Sequence, residues 1–539
     1  MRRPAPILLL SLAASACTCL EVPAPMVTSV EPAVAPTDAD TALVVRGANF
    51  LPAVKADLDD PGRSRVSWAF ALELVGPSGE RVALAGPTLV SEAEIDATLP
   101  AGAPATTYDL HLVDPGGGVA ILIRAIRVYS PNRAPLARLA VTPLAAATGS
   151  PVAFDASASG DAEDPKTSLS AEFDFEGNGT FSAAQPVTQA ATHAYAVPGV
   201  RQAWVRVTDS GGLASYATVQ VVAAQAADMT AVVTTGIDEA DAGATPADPK
   251  GAGFSLREAV TWANAQATPQ VITFAGPMAV VMTAVLPVQR SLRLAAPGMA
   301  VVGRPGVSVD FGGHGEACLQ LAAPDQRLLG LAVRGCTGAF VELLPASRAA
   351  QVAYCDIGPG ATAVGVEAAA ISPPGSPPAS LIGPGNLFTG LGTGVRLSGT
   401  DSEVIGNRIR ASATGIEVLG VRTRVSRNAI FDQVASGLQD GTGLRISSGA
   451  GPVEVWHNIF DQNAGAGVGA DAVPLDVRNN LFTRNGRHGI EAPAGDFAPG
   501  ALGWNGFWGN ALGTVPPPLA TGPTDVLDDP LYVDRPAWN

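Results

Sequence analysis

The chain has 539 residues, a formal net charge of −16, and 47% hydrophobic but only 5% aromatic residues. This length exceeds what one ordinary core accommodates, so several domains are expected. The acidic balance excludes a nucleic-acid partner, because no basic stripe is present to replace the counterions of phosphates. Abundant Gly (60) and Pro (45) accompany Val-, Leu- and Ile-rich runs of strand length, which predicts an all-β protein with many turns.

Residues 1–16 have the pattern of a signal peptide. Arg2 and Arg3 form a basic start, and residues 7–16 are apolar but too few to span a bilayer. Small residues precede Cys17, and this segment resembles a bacterial lipobox, which implies lipidation of Cys17; ordinary signal-peptide cleavage is the alternative. The resemblance implies an exported protein at the outer membrane or cell surface, or else a secreted one. We expect membrane contact only through this lipid, and we interpret residues 17–24 as a linker.

Residues 25–130 form the first predicted domain. In the run at 41–50, Leu43 and Val45 alternate with Val44 and Arg46, as a half-buried strand requires. The openings at 25–32 and 41–50 resemble an IPT/TIG immunoglobulin-like domain. That resemblance implies a β-sandwich that acts as a spacer or binding unit.

Residues 131–224 form the second predicted domain. Four segments, at 152–161, 173–179, 193–195 and 199–212, resemble those of a PKD domain in order and spacing, which implies a second β-sandwich. Side chains alternate between the two faces of a strand, so in the strand at 199–209 Trp204 is predicted on the face opposite Ala203 and Val205.

One loop of this domain suggests a cation site. Asp174, Glu176 and Asn178 place oxygen atoms at alternate positions before Gly179, as a calcium loop does, and Asp161 is a further carboxylate. Calcium is therefore the one cofactor that we consider. The alternative, which we favour, is a metal-free turn held by Asx hydrogen bonds.

Residues 229–539 form the third predicted domain. Ser255 and Glu258 have capping-box spacing, which predicts a helix from Leu256 that covers an open end of a β structure. The segment 254–264 resembles the CSLREA segment at the head of bacterial β-helix proteins, with Phe254 in place of the cysteine.

A degenerate repeat predicts the fold of this domain. Asn407, Asn428, Asn458 and Asn480 lie 21, 30 and 22 residues apart, which is about one coil of a β-helix with occasional longer loops. We predict that the asparagines stack, adopt a left-handed φ and hydrogen-bond to one another. The same stacking predicts an outward row of alternating charge, formed by Glu367, Arg396, Glu417 and Arg445.

The predicted fold class is therefore all-β, with two immunoglobulin-like β-sandwiches followed by a right-handed parallel β-helix that has a short N-terminal capping helix. The β-helix resembles the pectin lyase-like proteins. We interpret Cys336 and Cys355 as occupants of the asparagine corner in earlier coils, which predicts a disulfide; a reduced cysteine ladder is the alternative. Cys318 is expected to be unpaired.

Candidate catalytic and binding residues follow from this arrangement. Asp432 and Asp461 come after similar Asn-containing segments and are predicted to stack as an acidic pair near His457 and Arg478. Parallel β-helices include polysaccharide lyases and glycoside hydrolases, which need paired carboxylates or a calcium–arginine site. The clearest repeats, at 318–492, contain neither the paired-Asp nor the Gly-His-Gly motif of the hydrolases.

We therefore expect a non-catalytic surface protein that binds polysaccharide or another surface protein through the β-helix. A carbohydrate-active enzyme, a lyase or a hydrolase, is the alternative. Trp204 and Trp456 are the candidate ligand contacts, because an indole ring stacks on sugar rings; their alternative role is packing.

Overall fold

The structure is a computed structural model that describes residues 23–55, 59–283, 292–294, 296–314, 316–369, 380–492 and 497–530. The predicted signal peptide and Cys17 lie outside the described residues. Immunoglobulin-like sandwiches precede a parallel β-helix, which confirms the predicted fold class. Within the described part, no helix has the length and apolarity needed to cross a membrane.

Two compact units divide the chain. One holds the first sandwich together with residues 160–168 and 208–214. The other holds residues 136–159, residues 169–207 and the chain from residue 215 onward, so most of the second sandwich and the whole β-helix belong to a single unit.

The first sandwich has a four-stranded sheet in the order β1-β3-β9-β8 and a five-stranded sheet in the order β2-β11-β10-β6-β7. Leu43 and Val45 are buried in its core with Phe50 and Tyr108, as the alternation predicts. The elements are β1 (Met26–Glu31), β2 (Val34–Pro36), β3 (Thr41–Ala48), β4 (Ala53–Lys55), a 3-10 turn (Pro61–Arg63), β5 (Arg65–Ser67), β6 (Ala71–Val75), β7 (Arg81–Ala83), β8 (Ala85–Ser91), β9 (Glu94–Leu99), β10 (Thr107–Val113) and β11 (Val119–Tyr129).

The second sandwich pairs β12-β14-β17 with β13-β19-β18-β15-β16. Phe154, Phe173 and Tyr195 fill its core, and Ala203 and Val205 point inward, so the predicted parity is confirmed. The elements are β12 (Ala140–Thr142), β13 (Ala145–Ala147), β14 (Pro151–Asp155), a 3-10 turn (Lys166–Ser168), β15 (Ser170–Asp174), β16 (Gln185–Pro186), β17 (Ala191–Ala194), β18 (Gly199–Thr208), β19 (Ala214–Ala224) and a 3-10 turn (Ala226–Met229).

The predicted capping helix is present as α1 (Leu256–Asn264). The backbone N of Glu258 donates to Ser255 Oγ at 3.2 Å, and the backbone N of Ser255 donates to Glu258 Oε2 at 2.8 Å, which completes the capping box. Leu256, Ala259 and Val260 are buried in the same core as the β-helix interior. The helix therefore contributes its apolar face to that core.

Three parallel sheets of eleven, ten and nine strands wind around the β-helix core. Sheet 1 contains β20 (Val232–Val233), β21 (Val271–Phe274), β24 (Ala300–Val302), β27 (Arg327–Leu329), β30 (Ala350–Ala353), β33 (Ser380–Ile382), β36 (Ser402–Ile405), β39 (Thr423–Ser426), β42 (Val453–Trp456), β45 (Leu475–Arg478) and β48 (Phe497–Gly503). Sheet 2 contains β22 (Met278–Val281), β25 (Val307–His314), β28 (Ala332–Cys336), β31 (Asp356–Ile357), β34 (Leu387–Thr389), β37 (Arg408–Arg410), β40 (Ala429–Phe431), β43 (Ile459–Asp461), β46 (Leu481–Thr483) and β49 (Gly506–Trp508). Sheet 3 contains β23 (Leu292–Leu294), β26 (Leu319–Leu321), β29 (Ala339–Leu343), β32 (Gly360–Ala368), β35 (Leu391–Leu397), β38 (Thr414–Val418), β41 (Leu444–Ile446), β44 (Val468–Ala470) and β47 (Ile490–Glu491).

Stacked asparagines form the corner between sheets 1 and 2. Asn407 Nδ2 donates to Asn428 Oδ1 at 3.0 Å, and Asn428 Nδ2 donates to Asn458 Oδ1 at 3.0 Å, which confirms the predicted ladder. The predicted left-handed φ of the asparagines is wrong, because the residue before each one adopts it: φ is 56° at Arg427 and 58° at His457. The turn is made one residue earlier, so that the amide points into the protein and reaches its neighbours.

A second polar ladder, which the sequence analysis did not predict, lies between sheets 2 and 3. Asn463 Nδ2 donates to Asn485 Oδ1 at 2.9 Å, and Asn485 Nδ2 donates to Asn510 Oδ1 at 2.8 Å. Each of these residues lies five positions after an asparagine of the first ladder. That constant offset is the sequence signal for the second ladder.

The outward charged row on sheet 3 is present. Arg396 Nε lies 2.7 Å from Glu417 Oε2, and Arg396 Nη1 lies 4.0 Å from Glu367 Oε2. Glu417 is in register with Arg445 on the next strand. Stacking of equivalent positions therefore generates the alternating row as predicted.

The predicted Cys336–Cys355 disulfide is wrong. Cys336 is bonded to Cys318, with 6.3 Å between their Cα atoms, and Cys355 is free and buried. Cys355 does occupy the first asparagine corner, where its backbone N donates to Asn386 Oδ1 at 2.9 Å, whereas Cys336 ends β28 and lies beyond that corner. Burial raises the pKa of the Cys355 thiol to about 12, which keeps it protonated and unreactive.

Candidate functional site

The turn predicted to bind calcium is closed by its own backbone. Asp174 Oδ1 accepts the N–H groups of Gly177 at 2.9 Å and Asn178 at 3.3 Å, and Asp174 Oδ2 accepts that of Gly179 at 2.7 Å. A carboxylate that already accepts three N–H groups has few lone pairs left for a cation. These residues fit the metal-free turn better than a calcium loop.

The other predicted calcium ligands have their own partners. Glu176 lies 2.6 Å from Arg201 Nε and 3.1 Å from His193 Nε2. Burial alone would raise the pKa of Glu176, but the hydrogen bonds from Arg201 and His193 outweigh it, so that the pKa is lowered. Asp161 Oδ1 accepts two backbone N–H groups of its own turn. The described residues contain no cluster of three or more His, Cys, Asp or Glu residues suited to a metal ion.

The predicted acidic pair on the β-helix is wrong. In the register of β40 and β43, Asp461 stacks on Phe431, and Asp432 is one residue further on. Asp461 is 4% exposed and accepts a hydrogen bond from Thr483 Oγ1 at 2.7 Å. The segment before Asp432 is one residue longer than the segment before Asp461, so the two carboxylates occupy different positions in their coils.

His457 and Arg478 do not complete a catalytic group with these acids. His457 is an exposed residue of the first corner, and its backbone N donates to Arg478 O at 3.2 Å. Arg478 lies on sheet 1 with its Nε 2.7 Å from Asp476 Oδ1, whereas Asp461 lies on sheet 2. The four candidate catalytic residues are therefore divided among two sheets and a corner.

An aromatic and charged surface covers the outer face of sheet 1. We call the residues Glu403, Arg424, Glu454 and Trp456 the Trp456 wall. Arg424 Nε lies 2.8 Å from Glu454 Oε2, its Nη1 lies 3.6 Å from Glu403 Oε1, and its guanidinium carbon is 5.3 Å from the Trp456 ring centroid. Glu454 raises the pKa of Arg424 through its hydrogen bond. Trp456 is half-buried, and its Nε1 is buried without a hydrogen-bond partner among the described residues.

A groove of 360 Å³ adjoins this wall. Asp401 and Arg422 form a bidentate ion pair at one side of it, with N–O distances of 2.8 and 2.6 Å. The groove is lined by Asp401, Ser402, Glu403, Arg422, Thr423, Arg424, Pro452 and Glu454. It thus offers hydrogen-bond donors and acceptors side by side.

A second groove, of 410 Å³, lies on the outer face of sheet 3 around Gly469. Gly469 is in register with Arg445 and Glu491 and so interrupts the charged row. A Cβ atom added there would meet only Thr442, at 3.5 Å. Glycine therefore leaves an opening where neighbouring coils carry a long side chain.

Ionisable groups surround this opening. Asp440 Oδ1 lies 3.2 Å from Arg445 Nη2, and its Oδ2 lies 3.4 Å from Arg487 Nη1. Glu491 contacts Arg487 at 2.9 Å and His488 Nδ1 at 2.9 Å. The sequence analysis missed this site, although the loss of a charged residue from the row at 469 marks its position.

Trp204 lies on the second sandwich. It is half-buried on the outward face of β18, as its parity predicts. It belongs to a different domain from the Trp456 wall, so each tryptophan is a separate candidate contact.

Comparisons with known proteins identify two domains. Residues 132–223 match the family described as PKD domain, and residues 360–497 match the family described as right handed beta helix region. A search of the curated proteins finds no match.

The solved structures that resemble this chain share only limited segments with it. One is a carbohydrate-binding module of the β-sandwich superfamily, with 29% identity, 18% of this chain and 36% of that chain covered, and a TM-score of 0.16. The two-domain fragment DIP-gamma IG1+IG2 has 9% identity over 37% of this chain and 98% of that one, with a TM-score of 0.21. The Bacteroides ovatus glucan-utilization protein SGBP-B has 14% identity over 37% of this chain and 46% of that one, with a TM-score of 0.13. The chain thus spans about a third of the length of the first of these proteins. The family matches show that it contains a PKD-like domain followed by a right-handed parallel β-helix.

Proposed function

We propose that this is an exported, non-catalytic surface protein whose β-helix binds a polysaccharide at the Trp456 wall. The observation that carries this proposal is a half-buried indole ring beside a mixed-charge groove of 360 Å³. An indole ring packs against the apolar face of a sugar. The charged side chains of the groove suit sugar hydroxyls, which both donate and accept hydrogen bonds.

The ion pairs of this surface favour binding over catalysis. A general acid needs a raised pKa, whereas the hydrogen bond from Arg422 lowers the pKa of Asp401. Arg424 likewise contacts both Glu454 and Glu403. An acid that an arginine holds ionised, as Arg422 does Asp401, can bind hydroxyls but is poorly suited to protonate a leaving group.

The N-terminal half completes the proposal. The lipobox-like segment supplies a lipid anchor at Cys17, which places the chain at the membrane surface. In this arrangement the partner is a polysaccharide at the cell surface rather than a soluble metabolite.

The test is affinity electrophoresis and calorimetry against a panel of neutral and acidic polysaccharides. With the polymer that binds best, Trp456→Ala is expected to weaken binding about tenfold or more, since a stacked ring contributes about 1.4 kcal/mol or more. Trp456→Phe retains a ring and should retain most of the affinity. The matched control is Trp68→Ala, because Trp68 is an exposed tryptophan of the first sandwich. Equal binding by wild type and Trp456→Ala would contradict the proposal.

A carbohydrate-active enzyme is the second candidate. The observation that favours it is the opening at Gly469, where Asp440 and Glu491 line a groove of 410 Å³ and His488 Nδ1 lies 2.9 Å from Glu491 Oε1. Incubation with pectin, alginate and chondroitin-type polymers should then produce new reducing or unsaturated ends, and Glu491→Gln should abolish them. Activity that survives in Glu491→Gln, or no cleavage of any polymer, would exclude this groove as an active site.

A further inference from the structure

An exposed aliphatic surface lies on the five-stranded sheet of the first sandwich. Val113 ends β10, and Val119, Ile121 and Ile123 follow one another at alternate positions of β11. Their exposed fractions are 38%, 56%, 53% and 71%. We call these four residues the aliphatic face.

The aliphatic face departs from the pattern of a strand that has one side in water. Such a strand alternates apolar residues inward with polar residues outward. In β11, Ala120 is buried and Leu122 is half-buried, but the outward residues between and beside them are also apolar. The core of the sandwich therefore accounts for only one side of this strand.

The opposite sheet of the same sandwich has a charged outer side. Arg46 of β3 forms an ion pair with Glu94 of β9 and lies 3.6 Å from Glu31. Asp96, two residues further along β9, is exposed. The outer sides of two packed sheets point in opposite directions, so one side of this domain suits water and the other suits an apolar surface.

Polar groups border the aliphatic face along one side. Ile121 is in register with His111 of β10, and His111 is in register with Glu73 of β6. Glu73 forms an ion pair with Arg81 of β7 at 2.6 Å. The apolar side chains are thus gathered on β11 and the end of β10, and the charges lie two strands away.

The chain enters the domain next to this face. A Cβ atom added at Gly118 would lie only 2.8 Å from Pro25 Cδ, so the buried Pro25 packs directly on this glycine. Gly118 belongs to the turn that joins Val113 to Val119, in which Asp114 Oδ1 accepts the N–H of Gly118 at 2.7 Å. The start of the domain and the aliphatic face therefore meet at the same end of the sandwich.

The segment before the domain limits how far this face lies from the chain start. Pro25 comes eight residues after Cys17, a length that spans at most about 29 Å when fully extended. With the proposed lipid on Cys17, the bilayer is an apolar surface that this chain itself brings within reach of the aliphatic face.

We propose that the aliphatic face lies on the lipid surface and orients the first sandwich there. The proposal rests on the lipid anchor of the proposed function, and it adds a second membrane contact to the one that the sequence predicts through Cys17. Burial of Val and Ile side chains at the membrane interface is favourable in proportion to the apolar area removed from water. The side of the sandwich that carries Arg46 then points to solvent.

The first test is cosedimentation with vesicles of phosphatidylethanolamine and phosphatidylglycerol. Every sample is the full chain from residue 17 with Cys17→Ser and Cys19→Ser, so that neither the leader nor an acyl group contributes. Ile121→Ser combined with Ile123→Ser should weaken binding about tenfold or more, because two exposed isoleucines no longer enter the interface. The matched control is Val90→Ser, since Val90 is 53% exposed, as Ile121 is, but belongs to β8 of the other sheet. Equal binding by the double variant and its parent, or no binding by the parent, would overturn the proposal.

A fluorescent label gives a second readout that does not depend on serine variants that fold. In the same background, Ile123→Cys is labelled with nitrobenzoxadiazole; Cys318 and Cys336 are joined in a disulfide and Cys355 is buried, so the label is selective. Vesicles should shift the emission of this label to shorter wavelength and leave that of a label at Val90→Cys unchanged. Equal responses at the two positions would refute the contact.

Sedimentation velocity without lipid tests a second copy of the chain as the occupant. A monomer supports the lipid surface, whereas a dimer that Ile121→Ser dissociates would assign the face to self-association and overturn the proposal. Polysaccharide binding is measured on the same lipid-free chain, and Trp456→Ala leaves the aliphatic face intact. The mass of the exported protein tests the acyl group on Cys17, so each proposal fails separately.

Discussion

Replacement of Asn428 by alanine tests the contribution of the first polar ladder to stability. Asn428 Oδ1 accepts the backbone N–H and the side-chain N–H of Asn407, both at 3.0 Å. Its Nδ2 donates to Val404 O at 2.9 Å, to Ser426 O at 3.0 Å and to Asn458 Oδ1 at 3.0 Å. Asn428 is 2% exposed, so water cannot replace these bonds without opening the corner.

The expected loss follows from the groups left behind. The backbone N–H of Asn407 and two carbonyls lose a buried partner, and each unsatisfied group costs about 1–3 kcal/mol, part of which relaxation recovers. We expect Asn428→Ala to lower the free energy of unfolding by about 3–5 kcal/mol. For a cooperative unit of roughly 300 residues this is a fall in Tm of about 5–8 °C.

Urea denaturation and differential scanning calorimetry measure this loss. The matched control is Arg427→Ala, because Arg427 is the exposed residue directly before Asn428 and contributes only a surface side chain. If Asn428→Ala melted within about 1 °C of Arg427→Ala, the ladder would be a consequence of coil stacking that adds little stability.

Three further predictions concern the corner, the sandwich turn and the groove. His457→Gly should raise the free energy of unfolding by about 0.5–1 kcal/mol. His457 has a φ of 58°, a conformation that costs a non-glycine residue about 1–2 kcal/mol, and the greater flexibility of glycine in the unfolded chain offsets part of that gain. A lower Tm of the variant would contradict this. Asp174→Ala should lower the free energy of unfolding by about 2–3 kcal/mol, and by the same amount in EDTA as in calcium. A wild-type Tm that depends on calcium would refute the metal-free turn. Asp401 has its pKa lowered by the hydrogen bond from Arg422, so its stabilisation is present above its unfolded pKa of about 3.9 and is lost as the pH falls through the folded pKa. The difference in the free energy of unfolding between wild type and Asp401→Asn should therefore shrink from pH 7 to pH 3, from an initial value of at most about 1 kcal/mol for a partly exposed pair. A difference that did not change with pH would contradict the assignment.

Features that depend on one position repeating from coil to coil were predictable from the sequence. The row from Glu367 to Arg445 and the asparagine ladder follow from stacking alone, because a residue and its equivalent in the next coil are adjacent regardless of loop length. The capping box at Ser255 was predictable for a different reason, since it depends only on residues three positions apart.

Features that depend on counting residues from a corner were not predicted correctly. Asp432 lies one residue beyond the position that stacks on Asp461, and Cys336 lies beyond the corner that Cys355 occupies. A shift of one residue sends a side chain to the other face of a strand, so similar local sequences can occupy different walls. Both grooves escaped prediction because each combines residues from several coils, and no single segment carries their signal.

The first asparagine corner also determines where the chain can accept added sequence. A two-residue connection separates the sheet 1 and sheet 2 strands in seven of the described coils, as between Ile405 and Arg408 or between Gly503 and Gly506. Phe431 and Leu444 on sheets 2 and 3 are separated by a far longer segment. The extra length of that connection follows Gln433, which is buried and whose backbone N–H donates to Asn463 Oδ1 of the second ladder, and it contains the exposed residues 434–438. For protein engineering, the exposed residues 434–438 are the natural place to graft a foreign peptide, and both polar ladders are the parts to leave untouched.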